Sequence, residues 1–144
     1  MIRSQKKIGE ILIECGLITQ VQLERELAEQ SRTNKFLGDI LLKNREINER
    51  DLLLALSKQF NVPFISLNTD DIDWDFVKKF SASSILDYKC LPVEGDEWSV
   101  TIGITNPLDV DTIKKAEEEA RGLKLNLILV TKDDLEEFII RYKR

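Results

Sequence analysis

The sequence predicts an α+β fold: a tandem helix-turn-helix (four-helix) subdomain over residues 1–60, then a small α/β sandwich subdomain over residues 61–144. Three observations predict it. The stretch KIGEILIECGLITQVQLERELAEQ, Lys7 to Gln30, has a near-copy in FLGDILLKNREINERDLLLALSKQ, Phe36 to Gln59, at an offset of 29 residues. Both copies carry apolar residues at helical spacing. Beyond Pro63 the pattern changes to alternation, as in Val100, Ile102 and Ile104, which suits strands.

In each copy an apolar i, i+3, i+4 set opens a short amphipathic helix: Ile8, Ile11, Leu12, then Leu37, Ile40, Leu41. A turn follows, and a cap signal starts the next helix. Thr19 with Gln22 forms a capping box, and Asn48 with Asp51 has the same three-residue spacing. The second helices carry Leu23 and Leu27 in one copy, Leu52 and Leu56 in the other. Pro63 blocks helix continuation, so the boundary between subdomains falls near residues 60–63. VPFISL reads as a short strand, DIDWDFVKKFS as a helix, and LPVEGDEWSVTIGIT as a hairpin turning at Glu94–Glu97, with alternation through Trp98, Val100, Ile102 and Ile104. A capped helix over DVDTIKKAEEEARG ends at Gly122, KLNLILVT is a strand, and Thr131 starts a last helix. The mixture predicts a sheet covered by helices on one face.

Composition excludes several functions. The 144 residues are 42% hydrophobic and 33% charged, enough to build a core, and the net charge is −5. An acidic chain is not steered toward duplex nucleic acid. No run of about 18 apolar residues is present, so no membrane span is expected. Met1 leads into IRSQKK without an apolar segment, which predicts no signal peptide and a cytoplasmic location, with Cys15 and Cys90 as reduced thiols. There is no histidine, no phosphate-binding glycine loop and no cysteine pair at zinc spacing. Acidic pairs such as Asp70–Asp71 and Asp133–Asp134 suit solvated faces and helix starts. The expectation is a protein that is not an enzyme and holds no metal or cofactor.

Core packing accounts for most identities between the copies, but not for all. Gly9 and Gly38 each cost a helix about 0.5–1 kcal/mol against alanine, and mark a close approach by a neighbouring helix or a ligand. Gln30 and Gln59 lie on the leucine face, where an amide needs partners. Either they cap the following turns, SRTNK and FNVP, or they read a ligand.

The repeat resembles the tandem motif R-L-G-x-x-L-x-x-x-G-L-I-x-x-x-x-L-x-x-x-L-x-x-Q of the MshEN family, the N-terminal domain of type II secretion and type IV pilus assembly ATPases. LSKQFNVPFISL and LPVEGDEWSVTIGITNPLDVDTIKKAE resemble the family's later strand, hairpin and N/D-P-x-D segment, so the resemblance spans nearly the whole chain. It implies a non-catalytic regulatory or docking module whose two motifs bind cyclic di-GMP. Its implied partners are the ATPase core and an inner-membrane assembly component, with neither DNA binding nor membrane insertion. Carried over by position, the implied ligand set is Lys7, Ile8, Gly9, Leu23, Leu27 and Gln30, then Leu37, Gly38, Asp39, Leu52, Leu56 and Gln59. Each half of the ligand would meet one motif: leucines against base and ribose, a glycine at a helix N-terminus for the phosphate, a glutamine for the guanine edge.

The chain departs from the motif at named positions. Lys7 and Phe36 stand where the motif has arginine, Arg45-Glu46 where it has Gly-Leu, and Asn106 where Asp is frequent. Lysine offers a point charge rather than a planar fork. Phe36 is either a stacking surface or core; Arg45 is either a ligand partner or a solvated turn residue. Those drifted positions frame the alternative, a protein–protein docking adaptor of the secretion apparatus without nucleotide binding. A DNA-binding helix-turn-helix is disfavoured, because the second helix carries Glu24, Glu26 and Glu29 against Arg25.

Overall fold

The computed structural model describes the backbone of residues 2–144 and the side chains from Ile8 onward. The chain divides into two compact units, Met1–Asn61 and Val62–Arg144.

The first unit is helical among its described residues: α1 (Ile2–Glu14), α2 (Gln20–Thr33), α3 (Leu37–Lys43) and α4 (Glu49–Phe60). The caps form as the sequence predicts. Thr19 Oγ1 accepts from the Gln22 N–H at 3.2 Å, while Gln22 Oε1 accepts from the Thr19 N–H at 2.8 Å. Asn48 Oδ1 accepts from the Asp51 N–H at 2.8 Å. Asn34 and Asn61 end α2 and α4 in the left-handed conformation.

The helices of one repeat meet at the glycine. A Cβ placed on Gly9 would lie 2.7 Å from Leu23 Cδ1, and one on Gly38 would lie 3.0 Å from Leu52 Cδ2. The close approach inferred from sequence is therefore made by a neighbouring helix. Gly9 sits deep inside α1, which starts at Ile2, and not at a helix N-terminus; only Gly38 occupies a first turn. Between repeats, α1 packs on α4 and α2 on α3, contacts that the 29-residue offset exchanges.

In the second unit, β1 (Leu91–Gly95), β2 (Ser99–Ile104) and β3 (Lys124–Leu129) form one sheet of order β1-β2-β3. β1 and β2 are antiparallel, with a bulge between Pro92 and Glu94; β2 and β3 are parallel, crossed over by α7 (Val110–Ala120). A 3₁₀ turn (Thr69–Asp71), α5 (Trp74–Val77), α6 (Ala82–Leu86) and α8 (Lys132–Tyr142) complete it. Thr131 caps α8 and Asp109 caps α7.

Four expectations need correction. Coverage is two-sided. Leu91, Ile128 and Val130 share a core cluster with Val77, Ile85 and Phe138, while Val100, Ile102 and Ile104, of opposite parity to Gly103, are also buried, and α7 packs on β2 and β3. VPFISL supplies a single bridge, Phe64 to Leu129, rather than a strand. Pro63 has no N–H to give, and the Leu67 N–H leaves the sheet for Asp134 Oδ2 at 3.0 Å. DIDWDFVKKFS is helical only over Trp74–Val77, where Asp73 starts the helix by accepting from the Asp75 and Phe76 N–H groups. The hairpin turns later than expected: Glu94 and Gly95 pair with Thr101 and Val100, and Trp98 stands at the tip, 78% exposed. Asp96 Oδ1 holds that tip by accepting from the N–H groups of Trp98 (2.7 Å) and Ser99 (2.9 Å).

Two outcomes follow from this packing. Gly9→Ala gains helix propensity but overpacks Leu23, a cost of about 1–3 kcal/mol, for a net loss of about 1 kcal/mol in urea unfolding. Gly38→Ala, with the longer contact, loses less. Burial, and then the nearby Glu119 carboxylate, push the Cys90 thiol up to about 11, and its Sγ donates to the Thr112 carbonyl at 3.4 Å. At pH 8 iodoacetamide should label exposed Cys15 alone, with Cys90 reacting only after unfolding.

Candidate functional site

The twelve residues implied by the repeat motif fall into three groups. Ile8, Leu23, Leu37, Leu52 and Leu56 are buried core, between 0% and 6% exposed, and Gly9 is buried beneath Leu23. Their burial gives them a packing role within the helical unit, Gly9 directly against Leu23. Leu27, Gln30, Gly38 and Gln59 are half-buried, and Asp39 is exposed in the first turn of α3. The Lys7 side chain lies outside the described residues.

Gln30 lies where the two motifs meet. Its Nε2 donates to the Lys35 carbonyl at 3.0 Å, immediately before Phe36. The last residue of the first motif thus fixes the entry to the second, as the turn-capping alternative expects. Phe36, half-buried, is the N-cap of α3 and supplies no capping oxygen. Gln30 is thereby placed near the α3 first turn with Leu37, Gly38 and Asp39.

The turns within the two repeats show what the Arg45-Glu46 departure does. Gly16 has φ +74°, and its repeat counterpart Arg45 has φ +57°, exposed at the surface. The motif glycine serves a left-handed turn, and Arg45 adopts the same conformation under strain. Glu46 stands where the first copy has Leu17; its side chain is 9% exposed and pairs with Arg25 Nη2. The same guanidinium reaches Glu26 Oε1 at 3.3 Å, and Asn44 donates to Glu26 Oε2. Glu46 foremost, then Glu26, raise the Arg25 pKa above its ordinary value.

This bridge between α2 and the α3–α4 turn has an apolar twin by sequence. Offset by 29, Arg25, Glu26, Asn44 and Glu46 correspond to Leu54, Ala55, Cys15 and Leu17. Sequence reasoning missed the bridge, although the copies differ in polarity at all four positions, and that was the available signal. A cleft of ≈ 500 Å³ lies between the two turns, lined by Gly16, Leu17, Leu42, Arg45, Glu46 and Asp51, among others. Among the described residues, none of the implied set lines it. Asn106, in the second unit, accepts from the Leu108 N–H at 2.9 Å and so shapes a turn.

Arg45→Gly restores the residue type that the turn conformation favours. Relief of about 1–2 kcal/mol, less about 0.5–1 kcal/mol of glycine entropy, should raise stability by roughly 0.5–1 kcal/mol in thermal melts.

Comparison with known proteins agrees with this architecture. The chain is 26% identical over 136 residues to the type IV pilus assembly ATPase PilB of Myxococcus xanthus, covering 94% of this chain and 24% of that protein. It is 24% identical over 115 residues to PilB of Thermus thermophilus, covering 78% and 13%. It is also 24% identical over 133 residues to bacteriophage adsorption protein B of Escherichia coli, covering 92% and 18%. The chain therefore spans about a quarter or less of these relatives' lengths. The fold matches a structure of MshE with cdg at TM-score 0.83 and 23% identity, covering 94% of this chain and 97% of that one. It matches the N-terminal domain of XpsE at TM-score 0.69 and 17% identity, covering 96% and 95%. The sequence profile of the MshEN domain matches residues 60–144, which is the whole of the second unit with the last two residues of the first, and more than half of the chain. The chain belongs to the MshEN domain family.

Proposed function

We propose that this chain is a non-catalytic regulatory module that binds cyclic di-GMP through its two 24-residue motifs and acts within a larger pilus or secretion ATPase. The observation that carries the reading is the junction of the motifs: Gln30 ends the first and is bonded to the Lys35 carbonyl at the entry to the second. One symmetric dinucleotide can then be met by both copies. The shared fold with MshE, solved with cdg, supports it. Leu27, Gln30, Gly38, Asp39 and Gln59 keep accessible surface and would make the contacts together with Lys7. Ile8, Gly9, Leu23, Leu37, Leu52 and Leu56 would hold the helices in place beneath them. The amides would serve the guanine edge and Lys7 an acceptor or phosphate. Coupling to an ATPase core and to an inner-membrane assembly component, in the cytoplasm, completes the proposal.

One observation favours a docking adaptor without nucleotide. Glu46 is committed to Arg25, and Arg45 stands outward in a strained turn, so the second motif has lost residues to a structural bridge. Calorimetric titration of the chain with cyclic di-GMP, against GTP and cyclic di-AMP, separates the two readings. Under the first, Gln30→Ala and Gln59→Ala each weaken binding by roughly 5- to 150-fold, the effect of about 1–3 kcal/mol from a lost hydrogen bond. Absence of heat and of thermal shift at millimolar ligand leaves the docking adaptor standing.

A further inference from the structure

We propose that the second unit carries a docking cleft for an extended, basic and apolar segment of a partner protein, a site separate from the nucleotide reading. The cleft, ≈ 460 Å³, lies between the Ile65–Asp73 segment and the end of β1. Its apolar lining includes Ile65, Phe76 and Val93, and its rim carries the carboxylates of Asp71, Asp73 and Glu94. Among the described residues, no lysine or arginine lines it. Ile65 is 44% exposed although it is aliphatic, and Phe76 and Val93 are half-buried. Gly95 forms part of the same wall because a Cβ there would lie 2.8 Å from Phe76 Cζ, so this packing depends on glycine. Just past it, Trp98 projects from the hairpin tip.

The charge of the unit indicates the occupant. Residues 62–144 hold 17 Asp and Glu against 11 Lys and Arg, a net −6, whereas residues 1–61 hold 9 against 10, a net +1; the two sum to the chain's −5. The acidity is thus confined to the unit with the cleft. Carboxylates around an apolar floor select a segment that brings lysine or arginine beside aliphatic side chains, and disfavour anionic lipid, nucleic acid and a second copy of the same unit. β1 is an edge strand: β2 pairs with one side of it, and among the described residues no strand pairs with the other. An extended segment lying in the cleft would set its aliphatic side chains against Ile65, Phe76 and Val93 and its basic ones beside the carboxylates of Asp71, Asp73 and Glu94.

The test is a ¹⁵N–¹H titration of the whole chain with a peptide of alternating lysine and leucine, with a glutamate–leucine peptide as control. Saturable shifts are expected at Ile65, Phe76, Val93 and Glu94 with the basic peptide alone, weakening about fivefold or more between low salt and about 0.3 M salt. Glu94→Lys and, independently, Ile65→Ser should each weaken binding about fivefold or more while leaving the remaining spectrum unchanged. The proposal fails if shifts map elsewhere, if the acidic peptide binds equally, or if both variants bind as well as the parent chain. It also fails if sedimentation shows self-association through these same residues.

Discussion

The helical unit depends on one contact made twice: a glycine backbone against a leucine from the next helix. Gly9 admits Leu23 and Gly38 admits Leu52 so closely that a methyl group at either glycine would crowd the leucine. Around that contact, Ile8, Leu12, Leu37, Ile40 and Leu41 are almost without exposure. Truncating such a leucine to alanine removes about 2–5 kcal/mol. What the repeat leaves accessible includes Gln30 at the end of the first copy and Asp39 in the first turn of the second.

Duplication gives approximate symmetry, and the copies have used it differently. α1 on α4 and α2 on α3 are one contact seen twice. The second is sealed by Arg25, Glu26, Asn44 and Glu46, whereas the first has Leu54, Ala55, Cys15 and Leu17 at the matching positions. A buried carboxylate left without its partner is costly, so Glu26 and Glu46 depend on Arg25 and Asn44 staying beside them. Glu46, where the second motif departs from the family pattern, pairs across to Arg25 of the neighbouring repeat.

In the second unit a three-stranded sheet is buried from both sides. The parallel β2–α7–β3 crossover places α7 over Val100, Ile102 and Ile104, while α5, α6 and α8 close the other face around Phe138. Gly103 gives the strand room there, since a Cβ on it would lie 3.3 Å from Val130 Cγ1. β1, at the edge, is free to border the acidic cleft. Asp96 stabilises the hairpin tip beside it by accepting from the N–H groups of Trp98 and Ser99, which lowers its pKa. That stabilisation is present above the ordinary carboxylate range and is lost as pH falls through the depressed value.

By itself the sequence determined what is local or periodic. Capping oxygens at Thr19, Asn48 and Thr131 started helices where expected, because a cap depends on groups three residues apart. The 29-residue repeat fixed four helices and their apolar faces, and the family resemblance extended to the fold. Only the tertiary structure decided the rest. What lies against Gly9 depends on which helix packs there, and that helix brings Leu23. VPFISL has strand composition yet makes one bridge, because Asp134, 67 residues away, takes the Leu67 N–H. Glu26 and Glu46 look like solvated charges until Arg25 and Asn44 are brought beside them. Spacing along a helix reports which side chains share a face; what that face meets is set by residues distant in the chain, and there the same glycine, carboxylate or amide takes a different role.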